Sequence, residues 1–155
     1  MQKLKILNSK EAKKIYSQLD DQFGFSKKLD CTFLVNTKRK VYMVSKDIGN
    51  IDMDNLRIDS IGLYFGTIYD DGFRVTIEGS QIIGPDSTKN ILKLEEENLS
   101  NYIKGMDLDI EDGEYGAPGY YLISNGKDFF GCAKVTTNKI MNFVSKARRL
   151  RVVNE

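Results

Sequence analysis

Tyr120-Tyr121-Leu122-Ile123-Ser124-Asn125-Gly126-Lys127-Asp128-Phe129-Phe130-Gly131-Cys132-Ala133-Lys134-Val135 is the stretch that decides the fold. Two runs of strand-forming residues flank Asn125-Gly126, a dipeptide that favours a type I′ turn, so the stretch reads as a β-hairpin. Upstream, Ile91-Leu92-Lys93-Leu94 reads as a short strand. Glu95, Glu96 and Glu97 then place negative charge where the positive end of a helix dipole would lie. Leu99, Tyr102, Ile103 and Met106 repeat at helical spacing, and Gly105 is a natural stop. Residues 107–119 are acidic and turn-like. Downstream, Thr136-Thr137-Asn138 turns, Ile140-Met141-Asn142-Phe143-Val144 follows as a strand, and Leu150-Arg151-Val152-Val153 is the candidate closing strand. One short helix among five or six short strands suits a small barrel, which removes exposed edges by closing on itself.

The first half reads as a mixed α+β module. Ser9 is the expected N-cap of a helix in which Ala12, Ile15, Tyr16 and Leu19 share a face, ending before Gly24. Cys31-Thr32-Phe33-Leu34-Val35 and Val41-Tyr42-Met43-Val44 form a second hairpin, with Lys38, Arg39 and Lys40 at its turn. That basic triplet has two readings: a phosphate contact, or a solvated turn that keeps an edge strand from aggregating. Residues 47–54 read as a short helix or loop, and residues 61–69 as a strand. After the Asp70-Asp71-Gly72 turn, Phe73 to Glu78 alternates apolar with polar, as a half-buried strand does. Gly62 and Gly66 are expected to mark bulges or close backbone approach. Gly84-Pro85-Asp86-Ser87-Thr88-Lys89-Asn90 is the best linker. The expected organisation is α+β, with an α+β module over 1–88 and a β pseudo-barrel over 89–155.

Composition narrows the chemistry. The chain has 155 residues, 41% hydrophobic and 10% aromatic, enough to build one core or two small packed ones. No apolar run approaches the ~20 residues of a membrane span, and no secretory leader is visible, so a cytoplasmic protein is expected. With no histidine, a Ser-His-Asp triad, a Cys-His pair and any histidine metal site are excluded. Cys31 and Cys132 are far apart in sequence and read as buried small apolar residues. There is no phosphate-binding loop of the Walker type and no G-x-G-x-x-G at the start of a βα unit. The acidic run from Asp107 to Glu114 fails the calcium-loop pattern, because Asp112 and Pro118 occupy the positions that need Gly and Glu. Gly113-Glu114-Tyr115-Gly116 and Gly116-Ala117-Pro118-Gly119 fit G-x-x-G, but an acidic loop before a strand is not the basic helix-to-helix loop of a KH domain.

The net charge of +1 hides strong segregation. Residues 1–46 carry 11 basic and 4 acidic side chains, residues 47–131 carry 6 and 17, and residues 132–155 carry 6 and 1. The last group, Lys134, Lys139, Lys146, Arg148, Arg149 and Arg151, is the sharpest feature. Arg forks and Lys point charges both suit phosphate, so a polyanion is the natural partner. The alternative is a basic surface with no ligand. Tyr115, Tyr120 and Phe130 are candidates for base stacking and equally for core packing.

The residues from Ile91 onward resemble a PUA domain, a small RNA-binding pseudo-barrel of RNA-modifying enzymes and ribosome-assembly factors. The resemblance rests on Ile91-Leu92-Lys93-Leu94, on the helix end Gly105-Met106-Asp107-Leu108, and on the late hairpin from Gly126 to Val135. It rests also on the tail Asn142-Phe143-Val144-Ser145-Lys146-Ala147-Arg148-Arg149, which is similar to the PUA extension of archaeal relatives of the Sun-family RNA cytosine-5 methyltransferases. Lys40-Val41-Tyr42-Met43-Val44-Ser45, Ser60-Ile61-Gly62-Leu63-Tyr64-Phe65-Gly66 and Phe73-Arg74-Val75-Thr76 resemble the module that precedes the PUA domain in the Nip-type factor of large-subunit assembly.

The resemblance implies RNA binding through Lys104 and Gly105 at the helix end, Lys127 and Lys134 on the hairpin, and Lys146, Arg148 and Arg149 in the tail. Lys139 and Arg151 join them on the charge argument alone. A methyltransferase would also need a cofactor-binding domain and catalytic cysteines, and the sequence has neither. The expectation is a stand-alone, non-catalytic protein without cofactor or metal that binds structured ribosomal or transfer RNA. Two alternatives stand beside it. One is a protein–protein adaptor in ribosome assembly that docks through the acidic middle. The other is an RNA-targeting subunit that assists an RNA methyltransferase in trans.

Overall fold

The computed structural model describes residues 3–46 and 62–149. Its first unit is an antiparallel sheet in simple sequence order: β1 (Leu4–Ile6), β2 (Thr32–Asn36), β3 (Lys40–Val44), β4 (Leu63–Tyr69) and β5 (Gly72–Val75). Helix α1 (Ser9–Phe23) follows β1 and buries Ile15, Leu19 and Phe23. Its cap is Asn8 rather than Ser9. The Asn8 side chain accepts from the Glu11 amide at 2.9 Å while the Glu11 carboxylate accepts from the Asn8 amide at 3.3 Å. This reciprocal pair satisfies two helix-end donors, which a serine one residue later does not. Gly24 closes the helix at φ +64°, where its amide donates to Asp20 O at 2.8 Å. The glycines of β4 behave as expected: a side chain on Gly66 would collide with Arg74 O and the Phe73 ring.

The reading of the stretch after β5 is corrected. The strand expected from Phe73 to Glu78 ends at Val75, and helix α2 (Ile77–Ile83) begins. Thr76 makes the switch. Its hydroxyl accepts from the Gly79 amide at 3.0 Å and donates to Tyr64 O at 2.8 Å, so local capping overrides the period-two pattern. The stretch expected as a linker is pinned to its surroundings. Gly84–Asp86 forms a 3₁₀ turn packed on the Phe129 ring. The amides of Thr88 and Lys89 both donate to Phe23 O, and Asn90 Nδ2 donates to Gln22 O at 2.5 Å. Residues 47–54 and the start of the 61–69 strand lie outside the described residues.

The second unit contains β6 (Ile91–Lys93), α3 (Glu96–Ile103), β7 (Leu108–Asp109), β8 (Gly119–Ser124), β9 (Phe129–Val135) and β10 (Lys139–Met141). The strands form a curled mixed sheet in the order β6-β8-β9-β10-β7, with β6 parallel to β8 and the other pairs antiparallel. The sheet is a half-barrel wrapped on α3. The closing strand expected at 150–153 lies outside the described residues. The β8–β9 connection spans four residues rather than the two of a type I′ turn. Asn125 Oδ1 accepts from the amides of Lys127 and Asp128 at 2.9 and 2.7 Å, which stabilises the longer loop.

Strand β8 explains how the units join. Tyr120 and Leu122 face the first unit and pack with Phe23, Phe65, Phe73 and Ile83. Tyr121 and Ile123 face the other way and pack with Leu94, Tyr102, Leu108 and Val144. On β9, Cys132 joins the first cluster and Ala133 and Val135 the second. Both strands are therefore covered on two faces, which is why they read as continuous apolar runs. A bulge at Phe130-Gly131 shifts the register beside Leu122. Its polar groups are satisfied across the joint: Gly131 N donates to buried Ser80 Oγ at 2.7 Å, and Tyr102 Oη donates to Phe130 O and Cys132 O at 3.2 and 3.3 Å.

Cys132 is buried as expected, and burial pushes its thiol up to about 12. Cys31 is only half-buried, its thiol raised to about 11 by burial and by Asp30. Among the described residues no helix is long and apolar enough to cross a membrane.

Candidate nucleic-acid interface

The end of α3 is built by backbone geometry. The Gly105 amide donates to Tyr102 O at 2.9 Å and the Met106 amide to Asn101 O at 3.1 Å, with Gly105 at φ +92°. This is a Schellman closure, and it needs the left-handed conformation that glycine adopts without strain. Asn142 then ties this end to the tail. Its amide donates to Asp107 Oδ1 at 2.7 Å, and its Nδ2 donates to Tyr102 O and Met106 O at 2.6 and 3.0 Å. Its Oδ1 accepts from the Val144 amide at 2.7 Å. Arg149 completes the junction. Its Nε donates to Val144 O at 3.1 Å, and its guanidinium fills the space that a Gly105 side chain would take. A cation here also meets the negative end of the α3 dipole. Asn142→Ala leaves several of these groups unpaired, so a loss of about 1–3 kcal/mol is expected in denaturant unfolding.

The expected site residues thus divide. Lys104, Gly105 and Arg149 come together at the end of α3. Lys146 stands exposed at the start of the 3₁₀ turn Lys146–Arg148, one turn before Arg149. Arg148 is in the same turn but ion-paired with Glu78 of α2. Lys134 faces the first unit and pairs with Asp71 at 2.7 Å, while Tyr120 Oη donates to the other oxygen of that carboxylate at 2.7 Å. The Lys134 contact, followed by the Tyr120 hydroxyl, holds the Asp71 carboxyl below its ordinary range, and Asp71 in turn raises Lys134. Lys139 starts β10 opposite Asp109. Lys127 sits in the loop at the far end of β9 from Lys134. Arg151 lies outside the described residues. Of the stacking candidates, Tyr120 is buried in the joint, and Tyr115 and Phe130 pack against the second core. The Lys38-Arg39-Lys40 turn is partly neutralised, since Arg39 pairs with Asp70 at 2.9 Å.

A helix with a glycine closure, held in a curled sheet and welded to a basic tail, now stands beside a family comparison. Residues 89–150 match the family model of the PUA domain of the methyltransferase RsmF. No curated protein matches the chain. The matched PUA domain begins just before β6 and runs through α3, its glycine end, the β8–β9 hairpin and the tail up to Arg149. A PUA domain implies binding of RNA, and in this one the half-buried Lys104 and Arg149 flank Gly105 at the end of its helix.

Two residues that matter escaped the sequence reading. Asn142 escaped because three of its four partners, Tyr102, Met106 and Asp107, come from the end of α3 and the segment after it. Arg74 reads only as the polar position between Phe73 and Val75. In the fold its guanidinium lies between two rings, 3.9 Å from the Tyr69 centroid and 3.7 Å from that of Phe143 in the PUA tail. Its Nε donates to Tyr120 Oη at 3.3 Å. Such stacking on aromatic faces suits the planar, delocalised cation of arginine.

Proposed function

We propose that this chain is a non-catalytic RNA-binding protein acting on structured ribosomal or transfer RNA, in ribosome assembly or RNA modification. The observation that carries the reading is the convergence of Lys104, Gly105 and Arg149 at the end of α3 inside the matched PUA domain. Lys104, Lys146 and Arg149 neutralise phosphates, and Gly105 leaves room for the Arg149 guanidinium to dock on the helix end. Phosphate contacts of this kind give affinity and register, and the shape of the groove or loop adds selectivity. The resemblance of the first unit to the module of Nip-type factors supports a ribosomal setting. The test is binding of purified protein to ribosomal and transfer RNA fragments across a salt series. Affinity that falls linearly with log salt is expected, with a slope near −0.7 to −0.9 per neutralised phosphate. Absence of binding at low salt overturns the reading.

The match to a PUA domain that belongs to a methyltransferase favours a narrower version. In it the chain delivers RNA to a separate methyltransferase. Added protein is then expected to stimulate that enzyme on structured RNA, and K104Q/K146Q/R149Q to abolish the stimulation.

A further inference from the structure

Between the first sheet and the PUA domain lies an open cleft of about 620 Å³, lined by Tyr64, Thr67, Arg74, Phe130, Phe143 and Arg148 among others. That volume falls within the roughly 300–1,000 Å³ of sites that enclose small ligands. Arg74 is its fixed point. The guanidinium carbon lies 3.9 Å from the Tyr69 centroid and 3.7 Å from that of Phe143, and these contacts with its Nε hydrogen bond restrain the fork before any ligand arrives. Among the described residues its one hydrogen-bond acceptor is Tyr120 Oη, which takes the Nε proton at 3.3 Å. No described carboxylate pairs with Arg74, although the neighbouring cations Arg148 and Lys134 are both paired. Arg74 is half-buried and lines the cleft. The cleft also adjoins the proposed RNA face. The tail that carries Arg149 supplies Phe143, Val144, Ser145 and Arg148 to its wall.

We infer that this cleft holds one unpaired nucleotide of the bound RNA, its phosphate on the Nη edge of Arg74 and its base among the aromatic walls. An oriented guanidinium fork is suited to a phosphate, and an unstacked base is the part of an RNA that aromatic surfaces capture. The inference rests on the RNA-binding reading above and adds a second contact supplied jointly by the two units. It gives the first unit a direct part in recognition.

The test separates the two claims. Uridine 5′-monophosphate is titrated into the wild-type protein while the Arg74 side-chain Nε–Hε signal is followed by NMR. A saturable shift of that signal is expected, and its absence at millimolar nucleotide overturns the cleft. Transfer RNA binding is then measured across salt for the wild type, R74K and R74Q. R74Q is expected to lower the salt slope by about 1, and R74K to keep the slope while binding several-fold more weakly. Because Arg74 also joins the units, each variant is first checked by thermal unfolding. If R74Q does not fold, the NMR titration decides. If RNA binds the wild type and both folded variants equally, the cleft is refuted and the RNA face at α3 stands. If RNA binds none of them, the RNA-binding reading fails as well.

Discussion

K104Q/K146Q/R149Q is expected to bind structured RNA on the order of 10² more weakly than the wild type at moderate salt, with a salt slope smaller by two to three. Each removed phosphate contact takes about one unit from that slope. The choice of residues follows from their partners. Lys146 is exposed, Lys104 and Arg149 meet at Gly105, and none of the three is held by a carboxylate in the described residues. Glutamine at 149 keeps a donor within reach of Val144 O, so the tail stays docked. Arg148 is left alone because its loss would strand Glu78. K127Q is the single-charge control. It removes one positive charge where the triple variant removes three, and is expected to change affinity less than twofold. A loss from K127Q equal to that from K146Q alone would mean that only net charge matters.

Leu122→Ala is expected to cost about 2–5 kcal/mol and to weaken both units at once. Deleting a fully buried leucine removes its transfer energy and leaves a cavity that rigid neighbours cannot fill. Leu122 is 0% exposed and lies on the face of β8 that meets Phe23, Phe65 and Phe73. The same strand presents Tyr121 and Ile123 to the PUA core. A disturbance of β8 therefore reaches the two cores together. Chemical denaturation should stay a single transition at a lower midpoint. Hydrogen exchange should accelerate in β3 and β4 as well as in β9. Acceleration confined to the PUA strands would show that the units are stable independently.

The sequence is informative where local chemistry decides. The α1 periodicity, the Gly24 and Gly105 stops, the β2–β3 hairpin and the strand runs of β8 and β9 all rest on spacing and turn residues, and all are present. It misleads where a single side chain competes with a pattern. Thr76 caps a helix inside what alternation marks as a strand, and Asn125 lengthens a loop that its Gly126 neighbour would close in two residues. The candidate site was legible as charge but not as arrangement. Six basic residues of the last segment stand out in the chain. Which of them are spent on Asp71 and Glu78, and which gather at Gly105, depends on contacts far apart in sequence. Arg74 on Phe143 and Tyr120, and Asn142 on Tyr102, Met106 and Asp107, depend on such contacts too.

Ultraviolet cross-linking of the wild-type protein to ribosomal and transfer RNA, read by peptide mass spectrometry, tests the central claim most directly. Cross-links are expected within residues 104–107 and 142–149, and their loss in K104Q/K146Q/R149Q. Cross-links confined to α1 or to the Lys38-Arg39-Lys40 turn, with none in those two segments, would contradict it.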